Sequence, residues 1–218
     1  MKPPQPELAD YYARRASEYE KIYERSERQD DLRQLKYLMS ETFAGDTVLE
    51  VACGTGYWSQ FIARRALAIL ATDCNAEVLD IASQKDFGGC AVEFRLADAY
   101  TLAEVSPGFT AGFSGFWWSH VPLEKLADFL AVFHSKLEKD SKVLFIDNEY
   151  VEGNSTPISR RDDDGNTYQI RKLSDGSQHE VLKNFPSDEE MHDVLSPFSS
   201  NVSINRFTSF WVAAYNLA

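Results

Sequence analysis

Apolar positions fall into two alternating kinds of block over residues 31 to 147. Short apolar runs at Thr47–Ala52, Leu67–Thr72, Ala91–Leu96, Gly112–Trp118 and Lys142–Asp147 have the length and continuity of buried strands. Between them, apolar residues recur three and four apart, the spacing of one helical face. Leu32, Leu35, Leu38, Met39 and Phe43 form such a stripe, which Gly45 closes as a C-cap. Tyr57–Arg65 reads as a helix with basic residues in its last turn, and Asn75–Lys85 as one that turns Val78, Leu79 and Ala82 inward. Pro122 opens a further helix, with Leu126, Phe129, Leu130, Phe133 and Leu137 on its buried side. Strands alternating with helices predict an α/β chain: a mostly parallel sheet with helices on both faces.

The two ends read differently. Residues 8–28 are polar and tyrosine-rich, and Tyr12, Tyr19 and Tyr23 share one face of a helix. Residues 148–186 are polar, with a hairpin predicted from Tyr168–Leu173 and His179–Lys183 across the turn at 174–176. Ser187-Asp188-Glu189-Glu190 is a capping box that opens a short helix. Ser200–Phe207 and Phe210–Asn216 are too closely linked to be anything but an antiparallel pair. The expected organisation is one domain over 1–218, with a helical lid at 1–30 and an insertion carrying a lid hairpin at 149–186.

Composition narrows the function. The 218 residues are 44% apolar, enough for a real core. A net charge of -12 repels phosphate backbones, so no nucleic acid partner is expected. No apolar run is long enough to span a bilayer, so no membrane partner is expected either. The three cysteines, Cys53, Cys74 and Cys90, form no CxxC or Cys/His cluster. Neither disulfides nor a bound metal is expected, and a reducing cytoplasm fits.

The strongest local signal is Glu50-Val51-Ala52-Cys53-Gly54-Thr55-Gly56, a strand that runs into a glycine turn and a helix start. Gly54 and Gly56 allow a ligand close to the backbone, at the strand end where open α/β sheets bind ligands. A dinucleotide fingerprint would need a third glycine, and Ser59 stands there. Asp73 would still serve such a fold, but Glu50 at the strand tip would repel a pyrophosphate. The segment resembles motif I of the class I S-adenosylmethionine-dependent methyltransferases, in their small-molecule branch. Ala52 replaces the first glycine of the acid-x-G-x-G-x-G pattern, a mild change where φ stays negative. The resemblance extends over nearly the whole chain and implies a Rossmann-like, mostly parallel seven-stranded sheet with a C-terminal antiparallel strand pair.

It also implies S-adenosyl-L-methionine as cofactor and places residues around it. Glu50 and the Ala52, Cys53, Gly54 and Gly56 backbone would neighbour the methionine part. Asp73 would accept the two ribose hydroxyls, for which a carboxylate's two oxygens are suited. Asp98 would accept from the adenine amino group, with the Ala99 amide nearby. Cys74 would line the pocket, and Tyr11, Tyr19 and Trp117 would contact the cofactor. Tyr12, Trp118, Asn148, Tyr168 and Arg171 are the candidates to bind the acceptor. His120 is the candidate catalytic base, because an imidazole titrates near neutral pH; the alternative is that it only orients its loop. The implied reaction is methyl transfer to an oxygen or nitrogen atom of a small molecule. A nicotinamide-dependent oxidoreductase and a non-catalytic cofactor-binding protein are the competing functions. Monomer and homodimer both remain open.

Overall fold

The computed structural model describes residues 11–13, 15–173 and 175–218, with the side chains of residues 16–19 outside that description. Ten strands and five helices are used below. Strands β1 (Thr47–Val51), β2 (Ala68–Asp73), β3 (Ala91–Leu96), β4 (Phe109–Gly115), β5 (Leu137–Asn148), β9 (Ser203–Arg206) and β10 (Phe210–Asn216) form one sheet. Its order is β3-β2-β1-β4-β5-β10-β9, with the first five parallel and the last two antiparallel to their neighbours. This is the sheet the sequence pattern predicts. The helices are α1 (Gln29–Thr42), α2 (Ser59–Ile62), α3 (Ala76–Ala82), α4 (Leu126–His134) and α5 (Asp188–Leu195).

Two buried clusters flank the sheet, one built on Leu35, Met39, Phe113 and Ile146, the other on Leu49, Phe129, Phe133 and Phe145. Gly112 sets how closely α4 packs: a Cβ there would stand 2.7 Å from the Phe133 ring. The capping box holds α5 as expected, with the Ser187 hydroxyl accepting from Glu190 N–H and the Glu190 carboxylate accepting from Ser187 N–H.

Several expectations shift: the helix placed at Pro122 begins as an α-helix only at Leu126, Leu137 opens β5 instead of lying on that helix, and the strand expected over Gly112–Trp118 is Phe109–Gly115. The helix predicted over Tyr57–Arg65 shortens to Ser59–Ile62 because hydrogen-bonded turns occupy 54–58 and 63–65. The lead segment is a 3-10 helix over Ala16–Tyr23, so its residues do not follow the α-helical face assumed for Tyr12, Tyr19 and Tyr23. Between β5 and α5 lies a second antiparallel sheet of β6 (Ile158–Arg161), β7 (Thr167–Lys172) and β8 (Gln178–Leu182). The β7–β8 hairpin was legible. β6 was not, because all four of its residues are exposed and leave no apolar pattern. No helix among the described residues is long and apolar enough to cross a membrane.

Candidate active site

The carboxyl ends of β1 to β5 line one edge of the sheet because these strands run parallel. Strand order reverses between β1 and β4, and the crevice at such a reversal is the usual ligand site. Strained backbone marks both walls: φ is +57° at Ala52, just after β1, and +62° at buried Phe116, just after β4. The expectation that Ala52 keeps a negative φ is therefore corrected. The backbone that follows imposes the bend, since Cys53 N–H donates to Thr72 O at 2.9 Å and Gly56 N–H to Cys53 O at 3.0 Å. Gly56 itself sits at φ +72°, and a Cβ on it would meet that of Ala82 at 3.1 Å.

Three acids stand at three successive strand ends, in different states. Glu50 is 1% exposed and accepts the Ser59 hydroxyl at 2.6 Å. Burial raises its pKa to about 8, so it does not present a bare anion to the crevice. Asp73 is half-buried and accepts Gly54 N–H at 2.9 Å on Oδ2 and Asn75 N–H at 3.0 Å on Oδ1. Desolvation still raises its pKa. Asp98 accepts Tyr100 N–H at 2.8 Å, with Ala99 beside it and half-buried. Among the described residues neither Asp73 nor Asp98 forms an ion pair. Trp117 packs edge-on against Tyr100 at 5.8 Å, and its Nε1 is buried with no hydrogen-bond partner. Burial pushes the Cys74 thiol up to about 12 and raises that of Cys53, so neither is a thiolate.

The lead segment reaches the glycine turn. Glu20 accepts the Thr55 hydroxyl at 2.6 Å and pairs with Lys85. The Tyr23 ring stacks on Tyr57 with centroids 3.8 Å apart. The side chain of Tyr19 lies outside the described residues.

Beyond β4, a small cavity of about 110 Å³ brings together Tyr11, Tyr12, His120, Asn148 and Arg171, five of the predicted residues. His120 is buried, with Nδ1 2.6 Å from Leu182 O and Nε2 2.7 Å from the Tyr12 hydroxyl. A carbonyl only accepts, so Nδ1 carries the proton and Nε2 accepts from Tyr12. Beneath the ring lies a buried ion pair. Lys183 Nζ donates to Asp147 Oδ1 at 2.8 Å and to Ser119 Oγ at 2.5 Å, while Ser119 donates to Asp147 Oδ2 from its backbone at 3.0 Å and its hydroxyl at 2.7 Å. Burial first, then the Lys183 charge, pushes His120 down to about 3, so its imidazole is neutral.

Two candidates are not brought here. Trp118 is 2% exposed and packs into the core against Phe145 at 5.0 Å and Trp211 at 5.8 Å. Tyr168 donates to Asp162 at 2.9 Å under the Arg160 guanidinium, 3.6 Å from its ring, outside the cavity. Both side chains already have partners that aim them away from His120. Arg28, Asp147 and Lys183 were missed. Asp147 had a signal, an acid closing an apolar strand run as Asp73 does. Arg28 and Lys183 had none, because only the tertiary fold brings them to β4 and β5.

Residues 48–140 match the family model of the methyltransferase domain, a stretch that spans the glycine turn, all three acids and His120. The structure is similar to that of DhpI in complex with SAH, with a TM-score of 0.76 and 26% identity over 97% of this chain and 96% of that one. A DhpI–SAM–HEP complex matches at 0.75 and 26%, covering 95% of each chain. The chain is an S-adenosylmethionine-dependent methyltransferase. The PH0226 protein of Pyrococcus horikoshii OT3 shares the fold, with a TM-score of 0.72 and 14% identity over 89% of this methyltransferase and 92% of that chain. No match emerged among curated proteins. In this methyltransferase the matched segment stops short of Asn148, Arg171 and Lys183, so the cavity beside His120 draws on residues outside it.

Proposed function

We propose that this methyltransferase moves a methyl group to an oxygen or nitrogen atom of a small molecule held in the cavity beside His120. The observation that carries this reading is the neutral His120 imidazole, buried next to the crevice with an accepting Nε2. A cavity of about 110 Å³ suits a small group; an apolar cavity of ~150 Å³ takes benzene.

The crevice residues fit the cofactor. Asp73 uses one lone-pair site on each oxygen for a backbone N–H and keeps the other for a vicinal diol. Asp98, Ala99 and the Trp117 Nε1, which has no hydrogen-bond partner among the described residues, would offer hydrogen bonds to a polar heterocycle. Ala52, Cys53, Gly54 and Gly56 would lie along the methionine part, braced from below by the neutral Glu50 carboxyl. Cys74 would line the ribose side, while Tyr11 lines the His120 cavity instead. S-adenosylmethionine supplies an electrophilic methyl carbon on a sulfonium.

The chain's own residues position the acceptor and take its proton. His120 Nε2 would receive the proton that the acceptor's hydroxyl or amine gives up on methylation. Leu182 O fixes the tautomer that leaves Nε2 ready. Asp147 opposes in part the burial and the Lys183 charge that hold the His120 pKa down. Tyr12 holds Nε2 until the acceptor displaces it, and Asn148 and Arg171 orient the acceptor. The 158–182 sheet supplies Arg171 and the Leu182 carbonyl, and so works as a second lid opposite the lead segment. Calorimetry with S-adenosylmethionine and with NAD, followed by assay of S-adenosylhomocysteine release on small alcohols and amines, tests the reading. Binding of the sulfonium cofactor and turnover are expected. A chain that binds NAD instead, or binds the cofactor and turns over no small acceptor, would refute it.

A further inference from the structure

A protein of net charge -12 concentrates cations at one place: Arg15, Arg25, Arg28, Arg171 and Lys183 all line the His120 cavity. Among the described residues the one carboxylate in its wall, Glu149, is paired with Arg206. Lys183 is matched by Asp147, and Arg25 faces Glu27 at 3.9 Å on the exposed rim. Among the described residues Arg28 and Arg171 form no ion pair. Both are half-buried, in a chain with 34 acids against 22 bases.

Both are nevertheless held in place. The Arg28 guanidinium lies over the Phe210 ring, 5.4 Å from its centroid. Arg171 donates to Gln169 Oε1 at 2.5 Å, and wholly buried Gln169 is itself fixed by Nε2 donating to Thr156 O at 2.5 Å. Burial lowers the proton affinity of both arginines, and the charge of Arg25 lowers both further. Neutral partners that orient two partly desolvated forks without cancelling their charge leave an unmet demand for a planar or tetrahedral oxyanion.

We propose that the methyl acceptor is a small acid whose oxyanion head group, carboxylate or phosphoryl, is gripped by Arg28 and Arg171, with its nucleophilic hydroxyl or amine beside His120. This rests on the function proposed above and names its substrate class.

The test titrates inorganic phosphate and acetate, each against sodium chloride of equal ionic strength, into the full chain with and without S-adenosylhomocysteine, reading the unfolding midpoint. A saturable rise with one or both anions is expected. A stronger rise with phosphate assigns a phosphoryl head, and a stronger rise with acetate a carboxylate. Arg28→Gln and Arg171→Gln should each weaken the effect at least about tenfold, and Arg171→Lys should recover part of it, which a packing role would not. No rise beyond the chloride control, or a rise unchanged in both Gln variants, overturns the proposal. Should a variant not fold, kcat/KM for a hydroxy or amino acid against its neutral amide decides with wild-type protein alone: at least about 100-fold in favour of the acid is expected, and parity overturns the proposal. Failure of S-adenosylhomocysteine to bind would instead count against the site reading itself, while the anion titration without it still reports on the two arginines.

Discussion

The β1–β2–β3 side of the crevice and the β4–β5 side are built on opposite electrostatic plans. The first offers Asp73 and Asp98, which form no ion pair among the described residues, and a backbone turn, all within residues 50–99. The second offers a neutral imidazole over a buried ion pair, ringed by guanidiniums from residues scattered between Arg15 and Arg171. Carboxylates suit hydroxyls, amino groups and cations, whereas arginine forks suit oxyanions. With the acceptor proposed above, a cationic cofactor and an acidic acceptor would be sorted to opposite walls before any reaction. The two halves differ in construction as well: one is a local motif, and the other is assembled by the tertiary fold.

The sharpest way to break this contrast is a crossed pair of substitutions. His120→Ala should lower kcat by about 10²–10⁴, the range of a positioned proton acceptor, and leave cofactor affinity almost unchanged. Asp73→Ala should do the reverse, weakening the cofactor by about 10², as loss of charge-assisted hydrogen bonds would. Parallel effects on both constants would erase the division. A pH profile sharpens it. Because His120 is held down to about 3, its neutral form persists well below an ordinary imidazole's 6.5, so kcat/KM should show no acid limb near that pH. The same depression, with His134 lowered to about 4 by burial, has a stability consequence. The unfolded chain takes up these protons below about 6.5 and the folded chain does not. Their contribution is therefore complete above that pH and is lost as pH falls toward the folded values, which urea titrations across pH would show.

The ion pair beneath His120 is the next lever. Lys183 is 3% exposed and Asp147 is fully buried, so Lys183→Met leaves a carboxylate without its counter-ion. Such a break costs about 3–5 kcal/mol, while replacing both charges by apolar groups is often close to neutral. Urea denaturation should find Lys183→Met strongly destabilised and the Lys183→Met, Asp147→Leu double variant largely restored. The double variant should also let the His120 pKa rise, because Lys183 lowers it more than Asp147 raises it. Equal destabilisation by single and double variants would show that the network acts through shape rather than charge.

The unequal legibility of the two halves follows from how each is encoded. A glycine turn and three acids at strand ends are readable because each lies within a few residues of the strand that positions it. His120 was readable for the same reason, as the loop residue after β4. Its partners were not: Leu182 ends β8 and Lys183 follows it, 62 or more residues away, and Arg28 comes from the lead segment. Trp118 and Tyr168 show the opposite failure. Adjacency to His120 along the chain, or membership of the hairpin, said nothing of which way the ring points. Trp118 turns into the aromatic core, and Tyr168 is tied to Asp162 on its own sheet.

The smallest expected effect bears on the backbone conformation of Ala52, where the expected negative φ does not hold. Ala52 occupies left-handed backbone at φ +57° where related motifs carry glycine. An L-residue in that region costs about 1–2 kcal/mol, and a glycine returns part of the gain as unfolded-chain entropy, about 0.4–1 kcal/mol. Ala52→Gly should therefore stabilise the chain by up to about 1 kcal/mol, a rise of about 2–4 °C in the unfolding midpoint for a domain of this size. Ala52→Val should lower the midpoint instead, since a β-branched side chain tolerates this backbone less well. If the bend is imposed by the hydrogen bonds of Cys53 and Gly56, as the distances indicate, Ala52→Gly will leave affinity for S-adenosylhomocysteine unchanged. A loss of affinity alongside the gain in stability would mean that the Cβ itself shapes the cofactor wall, and the strain would then belong to function rather than to the turn.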